Sequence, residues 1–231
     1  MNEHHTIAAL IKLLQTIFHH LYQLIFPVHC FYCKRFGNIP AYALCNECVK
    51  HIKPVATIDI FLKQDKTIPI FAAASYEYPA KTLILAKQYQ QISACKALAE
   101  LIWEKTDLRF QEFDIITPIP LHWKRYAMRG YNQAEEIALA LGKKMNIPII
   151  NLLKRTQATA FQLTLSKQDR AANVAQVFVL AKKEYILLYH RKRILVVDDL
   201  LTTGSTIASA GKTLLKLDPV YIKAVVGARV L

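Results

Sequence analysis

Four cysteines form two Cys-x-x-Cys pairs near the start of the chain: Cys30, Cys33, Cys45 and Cys48. Two such pairs can place four thiolates tetrahedrally around one zinc ion, each at about 2.3 Å. Because four thiolates leave no open coordination position, the pattern predicts a structural Zn(II) that folds this module rather than a catalytic metal. His29 and His51 flank the pairs as less favoured ligands.

A second group of reactive side chains follows the apolar run at 194–197. Two acids, Asp198 and Asp199, are followed by two leucines and then by a stretch rich in hydroxyls: Thr202, Thr203, Gly204, Ser205 and Thr206. Ligands of parallel sheets bind at the carboxyl ends of strands, and a helix N-terminus offers N–H donors to a phosphate. The carboxylates would accept hydrogen bonds from sugar hydroxyls, so the spacing predicts a sugar-phosphate site.

The alternative for this second group is an ordinary strand, turn and helix, in which Thr203 or Ser205 caps the helix. A cap uses one hydroxyl, whereas four of the five residues from 202 to 206 carry one. We therefore favour the sugar phosphate over the simple cap.

The elements that would position these groups follow from hydrophobic periodicity. Helices are predicted at 7–25, within 79–105, at 131–145 and at 203–217, and strands or apolar runs at 70–76, 113–119, 147–153, 174–180, 194–197 and 221–226. Solidly apolar strands separated by helices predict an α/β fold whose parallel sheet is covered on both faces. We expect two parts: an N-terminal helix with the cysteine module at 1–55, and one domain at 56–231.

Composition narrows the class of protein. Of the 231 residues, 53% are hydrophobic and only 20% are charged, which excludes a disordered chain. The net charge of +13 favours a polyanionic partner such as phosphates, nucleic acid or an anionic membrane surface. Polar residues interrupt the apolar start of the chain, so we expect neither a signal peptide nor a transmembrane segment, and hence a cytoplasmic protein with reduced thiols.

Three segments in order carry a resemblance to a known family. They are the 118–133 stretch PIPLHWKRYAMRGYNQ, the spaced polar pattern from Arg155 to Phe178, and the acid-and-hydroxyl stretch that ends at Thr206. Together with the four-cysteine module they resemble the ComF family (ComF/GntX-like proteins), over essentially the whole chain. The resemblance implies a type I phosphoribosyltransferase fold that binds phosphoribosyl pyrophosphate (PRPP) or ribose 5-phosphate, with Mg(II) accompanying PRPP.

The resemblance also implies a role for each group. Asp198 and Asp199 would be the catalytic residues, whose carboxylates contact the ribose hydroxyls and help hold Mg(II), and the 202–206 loop would hold the 5-phosphate. A basic turn and a polar lid at 155–173 would bind the pyrophosphate through these residues: His122, Lys124, Arg125, Arg129, Arg155 and Arg170. Thr202 stands where many purine phosphoribosyltransferases have an acid, and it cannot act as a general base near pH 7.

Two functions remain open at this point. One is a PRPP-dependent phosphoribosyltransferase linked, through the resemblance, to natural competence and DNA uptake. The other is a non-catalytic, zinc-containing protein that handles single-stranded DNA and works with the competence machinery. Aromatic residues lie among basic ones at 123–126 and 129–131, as a base-stacking groove requires.

Overall fold

A central β-sheet organises the protein in the computed structural model, which describes residues 29–36, 39, 43–63, 66–86, 92–156 and 177–231. The side chains of Lys63, Lys124 and Arg125 and the helix predicted at 7–25 lie outside the described residues. The strands of the described part are β1 (Ile58–Lys63), β2 (Lys66–Ala72), β3 (Ile115–Pro118), β4 (Leu153–Arg155), β5 (Phe178–Leu180), β6 (Arg193–Leu201) and β7 (Tyr221–Arg229). The α-helices of that part are α1 (Asn46–Lys50), α2 (Ala80–Ala86), α3 (Ile92–Lys105), α4 (Trp123–Arg129), α5 (Gln133–Met145), α6 (Tyr185–Leu188) and α7 (Ser205–Leu214).

The main sheet is mostly parallel. Within the described residues its order is β1-β2-β7-β6-β3, and the three pairs that join β2, β7, β6 and β3 are all parallel. Among these described strands, β1 alone runs antiparallel, as a hairpin partner of β2. A separate antiparallel pair, β4 with β5, flanks the 157–176 segment. The predicted α/β class with a mainly parallel sheet is confirmed.

The strand side chains alternate between two hydrophobic cores because successive residues of a strand point to opposite faces. Leu195 and Val197 belong to the core that includes buried residues of α2, α3 and α5. Ile194 and Val196 belong to the core that includes buried residues of α7, β4 and β5. A strand buried on both faces explains why 194–197 is solidly apolar in sequence.

Three features differ from the sequence expectation. Strand β6 does not end before the acids: its pairing with β7 continues to Leu201↔Arg229, because β7 offers partners along its whole length. The run at 147–153 forms only an isolated bridge at Ile149 before β4 begins at Leu153. The β1 strand was not anticipated: the sequence predicts a link here, although Ile58, Ile60 and Leu62 alternate along it.

The cysteine module packs on the face of the sheet that carries α2, α3 and α5. Cys30, Cys45 and Cys48 share one hydrophobic core with buried side chains of α2 and α3. The Tyr32 and Tyr78 rings stack with their centroids 5.6 Å apart. Folding of the module and of the sheet is therefore linked through common packing. Within the described residues, no helix has the length and apolar character that crossing a membrane requires.

Candidate functional site

The four cysteines converge on one point. Their Sγ atoms all lie within 4.8 Å of one another, and His29 and His51 are not part of this group. The Cys30–Cys48 and Cys33–Cys45 Sγ pairs are each 3.7 Å apart. A tetrahedron with zinc–sulfur distances of about 2.3 Å has edges of about 3.8 Å. The arrangement could therefore hold a metal ion such as zinc.

The local backbone prepares these thiols for a cation. Burial raises the pKa of Cys30, but hydrogen bonds from the backbone N–H groups of Cys45, Cys33 and Tyr32 outweigh burial and hold that pKa at about 6. Burial and the neighbouring cysteines raise the pKa of Cys48. Four thiolates at this spacing repel one another, so their joint ionisation requires a positive ion between them.

The two acids lie in the second half of β6, near the carboxyl edge of the sheet. Asp198 pairs with Val226 of β7, and its Oδ1 accepts a hydrogen bond from the Asp199 N–H at 2.9 Å. Both side chains are half-buried. Because consecutive strand residues point to opposite faces, the two carboxylates leave the backbone in different directions, and single substitutions can separate their roles.

The loop after β6 turns sharply into α7 at Gly204. Gly204 has φ +76° and ψ −2°, and it caps the helix without a side chain. The Ser205 N–H donates to Thr203 Oγ1 at 3.4 Å, and the Thr203 hydroxyl donates to Ser205 Oγ at 3.0 Å. Thr203 thus caps α7 in part, as the alternative interpretation predicts. The first amides of α7 follow the two acids after a short loop.

A Cβ at Gly204 would lie 2.0 Å from Ile60 Cδ1 of β1. The glycine is therefore required by its left-handed backbone and by the closeness of Ile60. The Ile60 contact is a reason within the fold for a glycine here, in addition to the phosphate role that the sequence predicts for the loop.

The turn after β3 lies beside the acids. Pro118 pairs with Val197 of β6, and the Ile119 N–H donates to the Val197 carbonyl at 2.9 Å. The Asn132 side chain donates to the Ile119 carbonyl at 3.0 Å and accepts from the Ala134 N–H at 3.2 Å. Asn132 therefore caps α5 and fixes the turn at the same time, which gives the Arg-Gly-Tyr-Asn-Gln segment a structural function.

A cavity of about 650 Å³ opens between this turn and the β4–β5 pair. Its lining consists of Pro120, Leu121, His122, Trp123, Leu153, Lys154, Arg155, Thr156 and Val179. The Trp123 side chain is 54% exposed, and its ring stacks with that of His122 at 6.0 Å. The Arg155 guanidinium lies 5.6 Å from the centre of the Phe178 ring.

The structure brings together some of the predicted pyrophosphate ligands. His122 and Arg155 line the cavity, whereas Arg129 is half-buried at the far end of α4 and is not among its lining residues. Arg170 and the side chains of Lys124 and Arg125 lie outside the described residues. Lys154 also lines the cavity and was not anticipated, although its position beside Arg155 was a signal. Gln133, the last residue of the 118–133 segment, has a buried Nε2 without a hydrogen-bond partner within the described residues.

Comparison with known proteins identifies the family. No family model matches the sequence. Competence protein F of Haemophilus influenzae is 31% identical over 217 residues, which cover 83% of this chain and 93% of that protein. The chain belongs to the ComF family. The resemblance inferred from the motifs is therefore confirmed.

Other relatives of this ComF chain are more distant. DNA utilization protein YhgH of Escherichia coli K12 is 28% identical over 154 residues, which cover 64% of the ComF chain and 66% of YhgH. Among solved structures, glutamine PRPP amidotransferase from B. subtilis, complexed with ADP and GMP, matches with a TM-score of 0.37 and 15% identity. That match covers 63% of the ComF chain and only 26% of the amidotransferase chain, and a likeness this weak carries no argument about the site.

Proposed function

We propose that this ComF-family protein binds PRPP or ribose 5-phosphate in the cytoplasm, at the carboxyl end of β6, in the context of DNA uptake. One observation carries the proposal: two half-buried carboxylates, a left-handed glycine and the first turn of α7 follow one another on a single segment. The names of the relatives, which refer to competence and DNA utilization, support the physiological context.

Asp198 and Asp199 would accept hydrogen bonds from the ribose hydroxyls, and the N–H groups at the start of α7 would bind the 5-phosphate. A helix N-terminus favours an anion because its first amides lack partners within the helix. Thr202, Thr203, Ser205 and Thr206 would add hydroxyl donors. The site would then bind the two ends of one sugar phosphate from one continuous segment.

The pyrophosphate of PRPP would extend towards the cavity beside the turn after β3. His122 and Arg155 line it from two separate elements, and Lys154 adds a further cation. Arginine suits this task because its guanidinium donates two parallel hydrogen bonds to phosphate oxygens. Lys124, Arg125, Arg129 and Arg170 remain proposed ligands of the same group.

The reaction open to such a site is displacement of pyrophosphate from the anomeric carbon of PRPP. Mg(II) bound with PRPP would neutralise charge on the departing pyrophosphate. His122 and Arg155 would stabilise that same charge, and the 155–173 segment would exclude water. Thr202 offers no general base, so an acceptor with a free amine, such as ammonia, fits this site better than a base that must lose a proton.

Calorimetric titration with PRPP in the presence of Mg(II) tests this proposal. The double variant Asp198→Asn/Asp199→Asn should bind PRPP at least about tenfold more weakly, because each hydrogen bond to a charged group contributes about 1.5–3 kcal/mol. Asp107→Asn, an exposed acid at the opposite edge of the sheet, is the matched control. Unchanged affinity in the double variant would contradict the proposal and favour the alternative, an ordinary strand, turn and helix without a ligand.

A second function, binding of single-stranded DNA, is favoured by a specific observation. Trp123 and Tyr126 on α4 are 54% and 51% exposed, next to the cations at 124 and 125. Exposed aromatic rings among cations stack successive bases while the cations bind the phosphates. We propose this as an additional or alternative use of the same turn.

Salt dependence separates the two functions. If the turn binds DNA, Lys124→Gln with Arg125→Gln should lower single-strand affinity and reduce the salt slope by about one unit for each phosphate that the variant no longer neutralises. Trp123→Ala should cost about 1–3 kcal/mol of DNA binding, whereas Phe110→Ala, an aromatic that is 71% exposed elsewhere, should cost nothing. A DNA affinity that changes neither with salt concentration nor with Trp123→Ala would exclude this role.

We further propose that the cysteine cluster holds one structural Zn(II) per chain. The convergence of the four Sγ atoms within 4.8 Å and the burial of Cys30, Cys45 and Cys48 support it. Elemental analysis of the purified protein should find about one zinc per chain. Absence of zinc together with disulfides among the four cysteines would exclude it.

A further inference from the structure

The short helix α6 carries an unusual run of exposed aliphatic side chains. Ile186, Leu187 and Leu188 are 42%, 86% and 62% exposed. Val220, whose N–H donates to the carbonyl of Lys192 after the helix, is 52% exposed. We refer to these four residues as the α6 tip. In the part of the chain that the structure describes, no other three consecutive large hydrophobic residues are all exposed.

Two tyrosines fix the α6 tip in this exposed position. Tyr185 and Tyr189 flank the aliphatic residues, and both pack against the core on the α7 face of the sheet. Their rings meet edge to face at 5.1 Å, and the Tyr189 N–H donates to the Tyr185 carbonyl at 3.0 Å. Because the tyrosines bury their rings on one side of this single turn, the residues between them project outwards.

Cations surround the α6 tip. Lys182 and Lys183 precede the helix, Arg191 and Lys192 follow it, and all four side chains are exposed. The Val220 N–H donates to the Lys192 carbonyl at 3.1 Å, which holds Val220 beside the second pair. Among the described residues, the nearby acids are Glu184, exposed immediately before the helix, and Asp218, which contacts His190 and Arg191. Positive charges therefore outnumber negative ones around the tip.

The α6 tip lies at the edge of the sheet opposite to the candidate sugar-phosphate site. Lys192 immediately precedes β6, and Val220 immediately precedes β7, so the tip adjoins the amino ends of these parallel strands. Asp198 lies five residues into β6 from Arg193, which is about 17 Å along a strand. A partner bound at the tip would leave the site accessible.

We propose that the α6 tip binds the surface of an anionic phospholipid bilayer. The leucines would enter the boundary between headgroups and acyl chains, while the surrounding cations would contact the negative headgroups. A bilayer fits better than a protein partner because the tip is one projecting helical turn. Stable protein interfaces bury about 800 Å² on each partner around a packed core. The bilayer has no fixed shape to match.

Co-sedimentation of the full-length protein with lipid vesicles tests this proposal. The protein should bind vesicles that mix phosphatidylglycerol with phosphatidylcholine, and it should bind pure phosphatidylcholine much more weakly. Leu187→Ser with Leu188→Ser keeps the charge and should lower the partition coefficient at least about tenfold, because two leucines no longer leave water. Phe61→Ser, a residue that is 61% exposed on the edge strand β1, is the matched control and should have no effect.

Substitution of the surrounding lysines tests whether vesicle binding depends on positive charge. Lys182→Gln with Lys183→Gln should weaken binding to the anionic vesicles and flatten its salt dependence, whereas Lys143→Gln with Lys212→Gln, equally exposed on α5 and α7, should change it less. All substituted side chains are exposed, so the fold should persist. No binding by the parent protein, or equal binding by the leucine variant, would overturn the proposal and leave a protein partner as the occupant.

Discussion

At the residue scale, Gly204 links the fold to the candidate site. It adopts φ +76° where β6 turns into α7, and Ile60 Cδ1 would lie 2.0 Å from a Cβ there. Gly130 has nearly the same backbone, with φ +75°, but no atom of the described residues lies within 4 Å of its Cβ position. Adding a methyl group at Gly130 therefore introduces backbone strain alone, whereas at Gly204 it introduces backbone strain and a clash with Ile60.

We predict that Gly130→Ala lowers the free energy of unfolding by about 1–2 kcal/mol, the cost of a left-handed alanine. Gly204→Ala should lower it further, because the new methyl group also displaces Ile60. Urea unfolding measures both, and Ile60→Ala in the Gly204→Ala background should recover part of the extra loss. Equal costs at the two glycines would contradict the contact with Ile60.

Residue types and spacing predicted the cysteine cluster correctly because the geometry of a tetrahedral site dictates the spacing of its ligands. They did not predict the Ile60 contact beneath Gly204, because β1 and Gly204 are far apart in sequence. The same limit applies to Asn132: its sequence segment was noted, but its bond to the Ile119 carbonyl depends on how α5 meets the sheet. Long-range contacts of single residues require the fold.

At the element scale, one ion pair ties β3 to β6 at their amino ends. Asp114 accepts from the Arg193 backbone N–H at 2.8 Å and from its guanidinium at 2.9 and 3.2 Å. These bonds lower the pKa of the Asp114 carboxyl below its usual range. Its contribution to stability is therefore full above the ordinary aspartate pKa of about 3.9 and is lost as the pH falls through the lowered value.

Asp114→Asn should accordingly lower the free energy of unfolding by about 1–3 kcal/mol at pH 7, with a smaller loss as the pH falls below 3. Denaturant unfolding at several pH values measures this dependence. Asp59→Asn, an exposed acid on β1, is the control and should change stability little at any pH. A loss for Asp114→Asn that does not vary with pH would show that the charge is not what joins the strands.

Hydrophobic patterns predicted the solidly apolar strands and the longer helices better than they predicted β1. Helices α3, α5 and α7 and strands β3, β6 and β7 were all anticipated, with ends that shifted by several residues. Strand β1 was missed although Ile58, Ile60 and Leu62 alternate with other residues, as in a half-buried strand. The end of β6 was missed because hydrogen bonding to β7 continues past its apolar run.

At the scale of the whole molecule, the cysteine module and the sheet share one core. Cys30, Cys45 and Cys48 are buried against side chains of the same core as Leu98 and Leu101 of α3. If the cluster holds the proposed zinc ion, its release should therefore destabilise the sheet as well as the cysteine module.

We predict that Cys45→Ser lowers the zinc content and the Tm of the main unfolding transition, and that a chelator does the same to the parent protein. Calorimetry with parallel metal analysis measures both. Cys95→Ser, a buried cysteine outside the cluster, is the control and should keep the zinc. A main transition that is unchanged after complete zinc removal would mean that the two parts fold independently.

Binding of PRPP where β6 turns into α7 is tested most directly by a titration in which NMR follows the backbone amide resonances. With Mg(II) present, addition of PRPP should shift the backbone amides of Thr203, Gly204, Ser205 and Thr206 first and most. Amides at the opposite edge, such as those of α6, should stay unchanged. Resonance shifts confined to other regions, or no shifts at saturating PRPP, would show that PRPP does not bind at this turn.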